Sequence, residues 1–293
     1  MIRKAVIPAA GLGTRLFSVT KEQPKEMLPV FATTDEGTLC LKPIVQRIFE
    51  QLFDFGIREF YFIVGRGKRA IEDHFTPERQ IIDLLNAQAR GGQASDLEHF
   101  YRRIEKSTIV WINQPEPKGF GDAVLQAQKL IGTERFLVHA GDTFIISKDA
   151  TAIPVRLNRA HQSGNADATL TIQDVDDPRQ YGVAELIGKA NETLDVKRVV
   201  EKPAQPASNH AIMPLYIFEA EIFEALKATT PGKGGEIQLT DAIQRLIDTK
   251  HTVQAIKLRP DDVRLDIGTP ETYWEAIELS YRHALTKQHP EDD

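Results

Sequence analysis

The chain has 293 residues, of which 41% are hydrophobic, and this length suits one large domain or two modest ones. A formal net charge of -6 argues against a general nucleic-acid binder with a basic surface, but not against a local basic pocket for a nucleotide. The single cysteine, Cys40, excludes an intrachain disulfide, and no run of roughly 18 apolar residues offers a membrane span, so we expect a cytoplasmic protein that binds neither nucleic acid nor membrane.

Short apolar runs alternate with amphipathic segments through the first half of the chain. "KAVIPA", "FYFIVG" and "STIVWIN" carry the β-branched and aromatic residues typical of buried strands. Between the first two runs, Ile44, Ile48, Leu52 and Phe55 share one helical face, and Gly56 is suited to end that helix. This order predicts an α/β fold with a Rossmann-like mixed, mainly parallel sheet flanked by helices.

Strand-like runs follow one another after about residue 150 before helices return. "DATLTIQDV", "GVAELIG" and "TLDVKRVV" are separated by turn-rich breaks, so we expect a mixed-sheet extension of the same domain. The last helix is predicted to be capped by Thr269, to begin with Pro270 and to run to about Lys287. We expect Trp111 and Trp274 to fill the core, the default for large aromatic residues.

The stretch 7–30, "IPAAGLGTRLFSVTKEQPKEMLPV", places glycines, an arginine and two lysines directly behind the first strand. Ligands of open α/β sheets bind at the carboxyl ends of the strands. Gly11 and Gly13 leave room for a ligand to touch backbone N–H groups, and Arg15 offers a donor fork that matches phosphate oxygens. Prolines on either side of Lys25 limit the backbone there. The stretch therefore indicates a site for a phosphate-bearing ligand.

Two familiar glycine motifs do not fit this stretch. A Walker loop needs a Gly-Lys-Ser/Thr ending that the stretch lacks. A dinucleotide fingerprint needs a third glycine where Leu16 stands and an acidic residue where Gly65 stands. Neither NAD binding nor P-loop chemistry is indicated, and a bare "GLG" is also compatible with a tight strand-to-helix turn that binds nothing.

"PAAGLGTR" followed by "PKEMLP" resembles the signature of the sugar nucleotidyltransferases. The variant with glutamate after the lysine is similar to the UTP:glucose-1-phosphate uridylyltransferases of bacteria and archaea. Further matches follow in the same order: "KGFGDAV", "AGD", "YGV", "VEKP", "EIQLTDAI" and "LDIGTPETY". The resemblance implies the nucleotide-diphospho-sugar transferase fold in a single domain over 1–293, with residues 1–150 mainly for the nucleotide, 151–268 mainly for the sugar and 269–293 as a C-terminal helix.

The resemblance also implies roles for individual residues. Arg15 and Lys25 would be catalytic, and Asp142 and Asp266 would hold Mg²⁺. The nucleotide would contact Ala9, Ala10, Gly11, Gly13, Gln114 and Gly119. The sugar phosphate would contact Gly182, Glu201 and Lys202.

The residues alone leave other interpretations open. An aspartate after a strand, such as Asp142 or Asp266, is most often a turn residue or a helix cap, although two carboxylates from separate strand ends can hold Mg²⁺. Glu201 and Lys202 would point to opposite faces of an extended segment unless the following proline distorts it. Gln114, whose amide offers both a donor and an acceptor, is also compatible with a loop residue exposed to water.

The resemblance implies nucleotidyl transfer from UTP to α-D-glucose 1-phosphate, giving UDP-glucose and pyrophosphate, in a homodimer or homotetramer. Two alternatives stay open: a dTTP-using thymidylyltransferase, and a non-catalytic regulator that binds sugar nucleotides. Three departures from the bacterial pattern bear on them. "FATTDEGTLCL" at 31–41 is an insertion, "MPLY" has Pro214 and Leu215 where the bacterial enzymes have Gly-Arg, and "LDIGTPETY" is closer to the thymidylyltransferase and archaeal branches.

Overall fold

A computed structural model of the protein describes residues 2–147, 152–188 and 193–288. Its strands are β1 (Lys4–Ala9), β2 (Pro29–Thr33), β3 (Leu39–Pro43), β4 (Glu59–Val64), β5 (Thr108–Asn113), β6 (Phe136–His139), β7 (Thr143–Ile146), β8 (Ala168–Asp174), β9 (Gly182–Ile187), β10 (Leu194–Glu201), β11 (His210–Phe218), β12 (Val253–Lys257) and β13 (Val263–Asp266). Its α-helices are α1 (Phe17–Thr20), α2 (Ile44–Phe55), α3 (Arg69–His74), α4 (Arg79–Ala87), α5 (Gly91–Glu105), α6 (Phe120–Gln126), α7 (Gln128–Ile131), α8 (Ala152–Ser163), α9 (Glu221–Ala228), α10 (Leu239–Asp248) and α11 (Pro270–Gln288). Turns of 3-10 helix lie at Thr14–Leu16, Lys25–Met27, Pro178–Gln180 and Lys233–Gly235.

One large mixed sheet joins strands from both halves of the described chain, in the order β5-β4-β1-β6-β11-β8-β12-β10-β9. The strands β5, β4, β1 and β6 run parallel because each is connected to the next along the chain through helical segments. Antiparallel pairing predominates beyond them, with β11 between β6 and β8 and β10 between β9 and β12. The α/β fold with a mixed sheet is confirmed. Four neighbouring parallel strands come from the first half, as predicted, and β8 and β12 form a further parallel pair in the second half.

Helices cover both faces of the sheet because the central strands are apolar on both sides. All residues of β1 are buried, with Ala5 and Ile7 in a core shared with α2, α5 and α8. Val6 points the other way, into a core shared with α6, α9 and α10. A parallel strand that is buried on both faces has a continuous apolar sequence. For this reason "KAVIPA" could be predicted as a buried strand.

Two helix boundaries follow the predicted signals. Ile44, Ile48 and Leu52 of α2 are fully buried, and Gly56 ends the helix at a φ of 121° that disfavours other residues. Thr269 caps α11, since its Oγ1 accepts a hydrogen bond from the Thr272 N–H at 3.2 Å. Both predictions are confirmed. Among the described residues, no helix is both long and apolar enough to cross a membrane.

The prediction for Trp274 is wrong. It lies on α11 with 67% of its surface exposed, because other residues of this helix, including Ala276, face the core. Trp111 packs against the core as expected, stacked on Phe62 with ring centroids 4.8 Å apart. The expected division at residues 150 and 151 and the end of the region 269–293 lie outside the described residues.

The insertion at 31–41 forms most of a two-stranded hairpin, β2 with β3. Phe31 packs edge-on against Tyr281 of α11, with ring centroids 4.9 Å apart. The Phe31 N–H also donates a hydrogen bond to Ser280 Oγ at 3.1 Å. The hairpin is therefore seated on the C-terminal helix.

Candidate functional site

A crevice of about 630 Å³ opens at the carboxyl ends of the parallel strands, the position expected for ligands of α/β sheets. Its volume lies within the usual range for small-molecule sites. Of the residues singled out by sequence, Ala9 ends β1 with its side chain in the core and does not line the crevice, although its neighbours Pro8 and Ala10 do. The other residues all line this one crevice: Ala10, Gly11, Gly13, Arg15, Lys25, Gln114, Gly119, Asp142, Gly182, Glu201, Lys202 and Asp266.

The glycine loop turns the chain sharply after β1. Gly13 has a φ of 64°, a left-handed conformation that costs glycine little. A Cβ at this position would also lie 3.0 Å from the side chain of Thr20. Arg15 follows in the short 3-10 turn, exposed at the mouth of the crevice, where its guanidinium is free to meet a phosphate.

Lys25 reaches the crevice from the second 3-10 turn and forms an ion pair with Asp142. A Cβ on Gly11 would lie 3.8 Å from the Lys25 Nζ, so the ammonium sits directly beneath the glycine loop. Burial opposes the charge of Lys25, but the carboxylates of Asp142 and Glu26 outweigh burial and raise the pKa of the ammonium. Lys25 is therefore a fixed cation at the floor of the crevice.

Two carboxylates from separate strands meet beside this lysine. Asp142 follows β6, and Asp266 ends β13, where it pairs in register with Thr143 of β7. The Thr143 hydroxyl lies 3.4 Å from Asp142 Oδ1 and 3.3 Å from Asp266 Oδ1. Burial and the charge of Asp142 together raise the pKa of Asp266. Asp142 lies in a turn, as that interpretation predicts, whereas Asp266 is still part of β13. Together the two carboxylates concentrate negative charge beside Lys25.

This pair of carboxylates fits a hard divalent cation such as Mg²⁺, which prefers oxygen ligands and keeps several waters. In the residues that the structure describes, no group of three or more His, Cys, Asp or Glu side chains is placed to hold a metal ion. Asp142 and Asp266 would therefore be the protein's contribution, and phosphate and water oxygens would complete the coordination.

Glu201 and Lys202 share the far wall of the crevice although they are adjacent in sequence. Lys202 has a φ of 41°, in the left-handed region, and its N–H donates to the Tyr181 carbonyl at 2.9 Å. The kink brings the Lys202 Nζ to 3.2 Å from Glu201 Oε1. Without this local distortion, an extended segment would point the two side chains to opposite faces.

Thr240 holds the Glu201 carboxylate, and Gly182 leaves room for this contact. Thr240 donates from its hydroxyl to Glu201 Oε2 at 2.7 Å. A Cβ on Gly182 would lie 2.7 Å from the Thr240 Oγ1 and 3.3 Å from Glu201 Oε2, so only glycine fits beside this pair. Thr240 was missed as a site residue, although it lies within the matched stretch "EIQLTDAI".

Gln114 follows β5 and is 5% exposed, so the alternative of a loop amide open to water is wrong. Its Nε2 donates to Asp122 Oδ2 at 2.6 Å and to the Gly119 carbonyl at 3.2 Å. Gly119 has a φ of 105°, and a Cβ there would lie 2.8 Å from the Ile237 carbonyl. The loop after β5 is therefore packed tightly against the segment that leads into α10.

Arg264 also lines the crevice wall and was not singled out from the sequence. Arg264 donates to the Tyr181 hydroxyl at 2.9 Å, and its guanidinium lies 5.0 Å from the centre of the Tyr181 ring. The positive charge of Arg264 partly offsets the rise in the pKa of Asp266 that burial and Asp142 cause. No residue of the hairpin 29–43 lines the crevice, so the insertion does not cover it.

Comparison with known proteins gives consistent matches over nearly the whole chain. Residues 4–282 match the family described as nucleotidyl transferase. A relative named UTP–glucose-1-phosphate uridylyltransferase, from Staphylococcus epidermidis, is 37% identical over 271 residues, covering 91% of this chain and 88% of the relative.

Two solved structures have similar folds. A UDP-glucose pyrophosphorylase complexed with UDP-glucose has a TM-score of 0.82 and 32% identity, covering 97% of this chain and 100% of its own. A UTP-bound UGPase from Acinetobacter baumannii also has a TM-score of 0.82, with 28% identity, covering 99% of this chain and 95% of its own.

Proposed function

The chain belongs to the nucleotidyl transferase family, and we propose that it transfers the uridylyl group of UTP to α-D-glucose 1-phosphate, giving UDP-glucose and pyrophosphate. The relatives named for this activity and the UDP-glucose and UTP complexes among similar structures support this substrate pair. One observation of the site carries the proposal. A cation, Lys25, lies between a glycine loop on one side and a pair of carboxylates on the other, within one crevice.

The reaction would be an in-line displacement at the α-phosphorus of the nucleotide. A phosphate oxygen of glucose 1-phosphate would form the new P–O bond, while the bond between the α-phosphorus and the bridging oxygen breaks and its electron pair leaves with pyrophosphate. The attacking group is already an anion at neutral pH, because the second pKa of a phosphate monoester is near 6, by analogy with phosphorylated residues. No general base is required.

Repulsion between the two anions is then the main obstacle. Two unit charges 4 Å apart repel by about 4 kcal/mol at an effective dielectric constant of 20. In our proposal Arg15 neutralises the β- and γ-phosphates, Lys25 contacts the α-phosphate and Lys202 orients the sugar phosphate. Bound Mg²⁺, held by Asp142 and Asp266, would supply further charge neutralisation as a Lewis acid. Catalysis would rest on positioning and electrostatics.

The sugar would occupy the wall formed by Gly182, Glu201 and Lys202. Glu201 Oε2 already accepts from Thr240, which leaves other lone pairs of the carboxylate for sugar hydroxyls. Gly182 carries no side chain that would displace Thr240 from Glu201, and in our proposal the sugar lies next to the backbone there. Arg264, near Tyr181 and Asp266, adds positive charge on the same side.

The base of dTTP differs from that of UTP by a single methyl group, and discrimination of one such group is worth only about 1–3 kcal/mol. The assay that tests the proposal therefore measures pyrophosphate release with glucose 1-phosphate and Mg²⁺ in parallel reactions with UTP, dTTP, ATP and GTP. We expect the highest kcat/KM with UTP. A preference for dTTP would indicate a thymidylyltransferase instead. Absence of pyrophosphate release with all four nucleotides would favour a non-catalytic binder.

The cytoplasmic location and the homodimer or homotetramer stay predictions. Trp274 and Tyr281 are 67% and 41% exposed on α11, and they lie two helical turns apart on a similar face. Sedimentation of the wild-type protein and of Trp274→Ser tests the assembly, since a subunit contact through this helix would weaken in the variant.

A further inference from the structure

The amide of Gln114 is fixed in one orientation by two groups that only accept hydrogen bonds. One is the Asp122 carboxylate, 2.6 Å from Gln114 Nε2, and the other is the Gly119 backbone carbonyl at 3.2 Å. A carboxylate and a carbonyl have no proton to donate to an amide oxygen. Rotating the amide by half a turn would bring its oxygen against both acceptors. The Nε2 group therefore stays turned toward them.

Both N–H groups of the Gln114 amide donate hydrogen bonds within the protein in this orientation. A primary amide has two N–H donors and one carbonyl acceptor, so the acceptor Oε1 is the only function left for a ligand in the crevice. The backbone of Gln114 is held as well, because its N–H donates to the Val64 carbonyl at the end of β4 at 2.8 Å. Gln114 thus presents a single, fixed acceptor rather than the donor and acceptor expected from its residue type.

A fixed acceptor distinguishes the pyrimidine bases. Uracil presents an N3–H donor at the centre of its hydrogen-bonding edge, and thymine does the same. Cytosine presents a lone pair at N3, which would face the Gln114 oxygen with no proton between them. Since a buried polar group left without a partner costs its full desolvation penalty, this arrangement favours UTP over CTP.

We propose that Asp122 is a specificity-determining residue that selects uracil over cytosine by fixing the orientation of the Gln114 amide. Asp122 acts through Gln114 as a positioning residue and is held on α6, where its other oxygen, Oδ1, accepts from Gln126 Nε2 at 3.3 Å. The inference rests on the proposed function, in which the base lies beside Gln114.

Asp122→Asn is the sharpest test because it changes a pure acceptor into a group that also donates. The introduced amide is able to donate to Gln114 Oε1, so the flipped orientation becomes accessible and an N–H of Gln114 turns toward the base. That N–H is a partner for cytosine N3. We expect the ratio of kcat/KM for UTP to that for CTP to fall by about 10-fold or more, and the ratio of the two dissociation constants, measured by calorimetry, to change in parallel.

Two further variants separate this effect from a general disturbance of α6. Gln126→Ala removes the other hydrogen bond of Asp122 and should leave the UTP/CTP ratio unchanged. In a Gln114→Ala background, Asp122→Asn should cause no further change in the ratio, because its effect is transmitted through Gln114. Asp122→Ala, which releases one N–H of Gln114, serves the same purpose if Asp122→Asn does not fold, and should also lower the ratio.

The outcomes for the inference and for the proposed function are distinct. An Asp122→Asn variant that folds and keeps the wild-type ratio overturns the inference, as does an equal fall in Gln126→Ala or an equal effect in the Gln114→Ala background. A wild-type protein that releases no pyrophosphate from UTP contradicts the proposed function instead. In that case the dissociation constants for UTP and CTP still decide the inference, since they do not depend on turnover.

Discussion

Glu26 and Lys68 form an ion pair of 2.7 Å in which their side chains are 1% and 8% exposed. Glu26 directly follows Lys25 in the 3-10 turn, and Lys68 stands at the start of α3. A Cβ on Gly141 would lie 3.2 Å from the Cγ of Glu26, so the loop that leads to Asp142 packs on the same side chain. The pair therefore anchors the turn of Lys25 from behind.

Removing one member of this pair should be costly. In Lys68→Met, Glu26 would stay buried without its ion-pair partner, with only the charge of the neighbouring Lys25 left to offset it, and breaking a buried pair typically costs about 3–5 kcal/mol. Burial already raises the pKa of Glu26. At lower pH the carboxyl takes up a proton and is less costly to bury, so the loss of unfolding free energy in Lys68→Met should shrink as the pH falls. Urea unfolding at pH 7 and pH 5 measures both effects.

The neighbouring Arg69 supplies a matched control. Its side chain is 87% exposed and pairs only with the exposed Asp73 among the described ion pairs, so Arg69→Met should change stability by less than about 0.5 kcal/mol. The double variant Glu26→Gln with Lys68→Met should recover much of the loss, because neither side chain of the pair is then charged. Equal stability of Lys68→Met and Arg69→Met would show that the pair contributes nothing.

Gly182→Ala should weaken the sugar site without affecting the nucleotide site. The added Cβ would lie 2.7 Å from the Thr240 Oγ1, so Thr240 must move and release the Glu201 carboxylate. A small displacement of a positioned group is enough to lower activity by orders of magnitude. We expect KM for glucose 1-phosphate to rise by about 10-fold or more, with KM for UTP nearly unchanged.

Gly91→Ala makes the same chemical change where nothing lies within 4 Å of the added Cβ. This control, at the start of α5, should leave both KM values unchanged. Parallel increases in the two KM values for Gly182→Ala would place the damage elsewhere than in the sugar wall.

His74 should make the protein less stable in mild acid. Burial lowers the pKa of His74 to about 4, and its Nε2 lies 2.9 Å from Gln46 Oε1. Gln46 donates from Nε2 to Glu50 at 2.9 Å, which turns its oxygen toward His74, so the neutral ring donates here. A base with a depressed pKa contributes stability above its unfolded value near 6.5, and this contribution is lost as the pH falls toward 4.

The test compares wild type with His74→Gln, which has no titrating group. Between pH 7 and pH 4.5 we expect the wild type to lose roughly 2 kcal/mol more unfolding free energy than the variant. Urea titrations at several pH values give this difference. Identical pH dependence in the two proteins would mean that His74 is not buried in its neutral form.

The crevice could be predicted because most of its residues follow strands in chain order. Gly11, Gln114 and Asp142 each come after a parallel strand, and the carboxyl ends of such strands meet at one edge of the sheet. The orientation of Lys202 could not be predicted, since strand alternation placed it opposite Glu201. Its left-handed backbone is stabilised by a hydrogen bond to Tyr181, a residue 21 positions away that no local pattern identifies.

Contacts between distant elements were also beyond the sequence patterns. Glu26 and Lys68 are 42 residues apart, and each alone resembles an ordinary surface charge. Trp274 was wrongly expected in the core from its residue type alone, whereas other apolar residues of α11, such as Ala276, face the core. The sequence placed the amide of Gln114 at the crevice, but it did not show that Asp122 and the Gly119 carbonyl accept its hydrogen bonds, because these contacts depend on a packed loop.

Lys25 should contribute to turnover much more than to substrate affinity, because in our proposal it meets charge that develops in the transition state. For Lys25→Ala we expect kcat to fall by about 100-fold or more while KM values change only a few-fold. Steady-state kinetics with both substrates varied gives the two parameters. Lys21→Ala is the matched control, because Lys21 lies in the same loop but its side chain is 65% exposed. This variant should keep the wild-type kcat and KM values.

The same variant should also respond differently to Mg²⁺ in the absence of nucleotide. In the wild type the Lys25 ammonium occupies the Asp142 carboxylate and lowers the pKa of that group against the effect of burial. A cation that binds Asp142 and Asp266 must compete with this ion pair, whereas Lys25→Ala leaves two neighbouring carboxylates without it. Because a ligand that binds only the folded state raises its stability, Mg²⁺ should raise the melting temperature of Lys25→Ala more than that of wild type or Lys21→Ala. Equal shifts in all three proteins would show that Lys25 and the metal do not compete for Asp142.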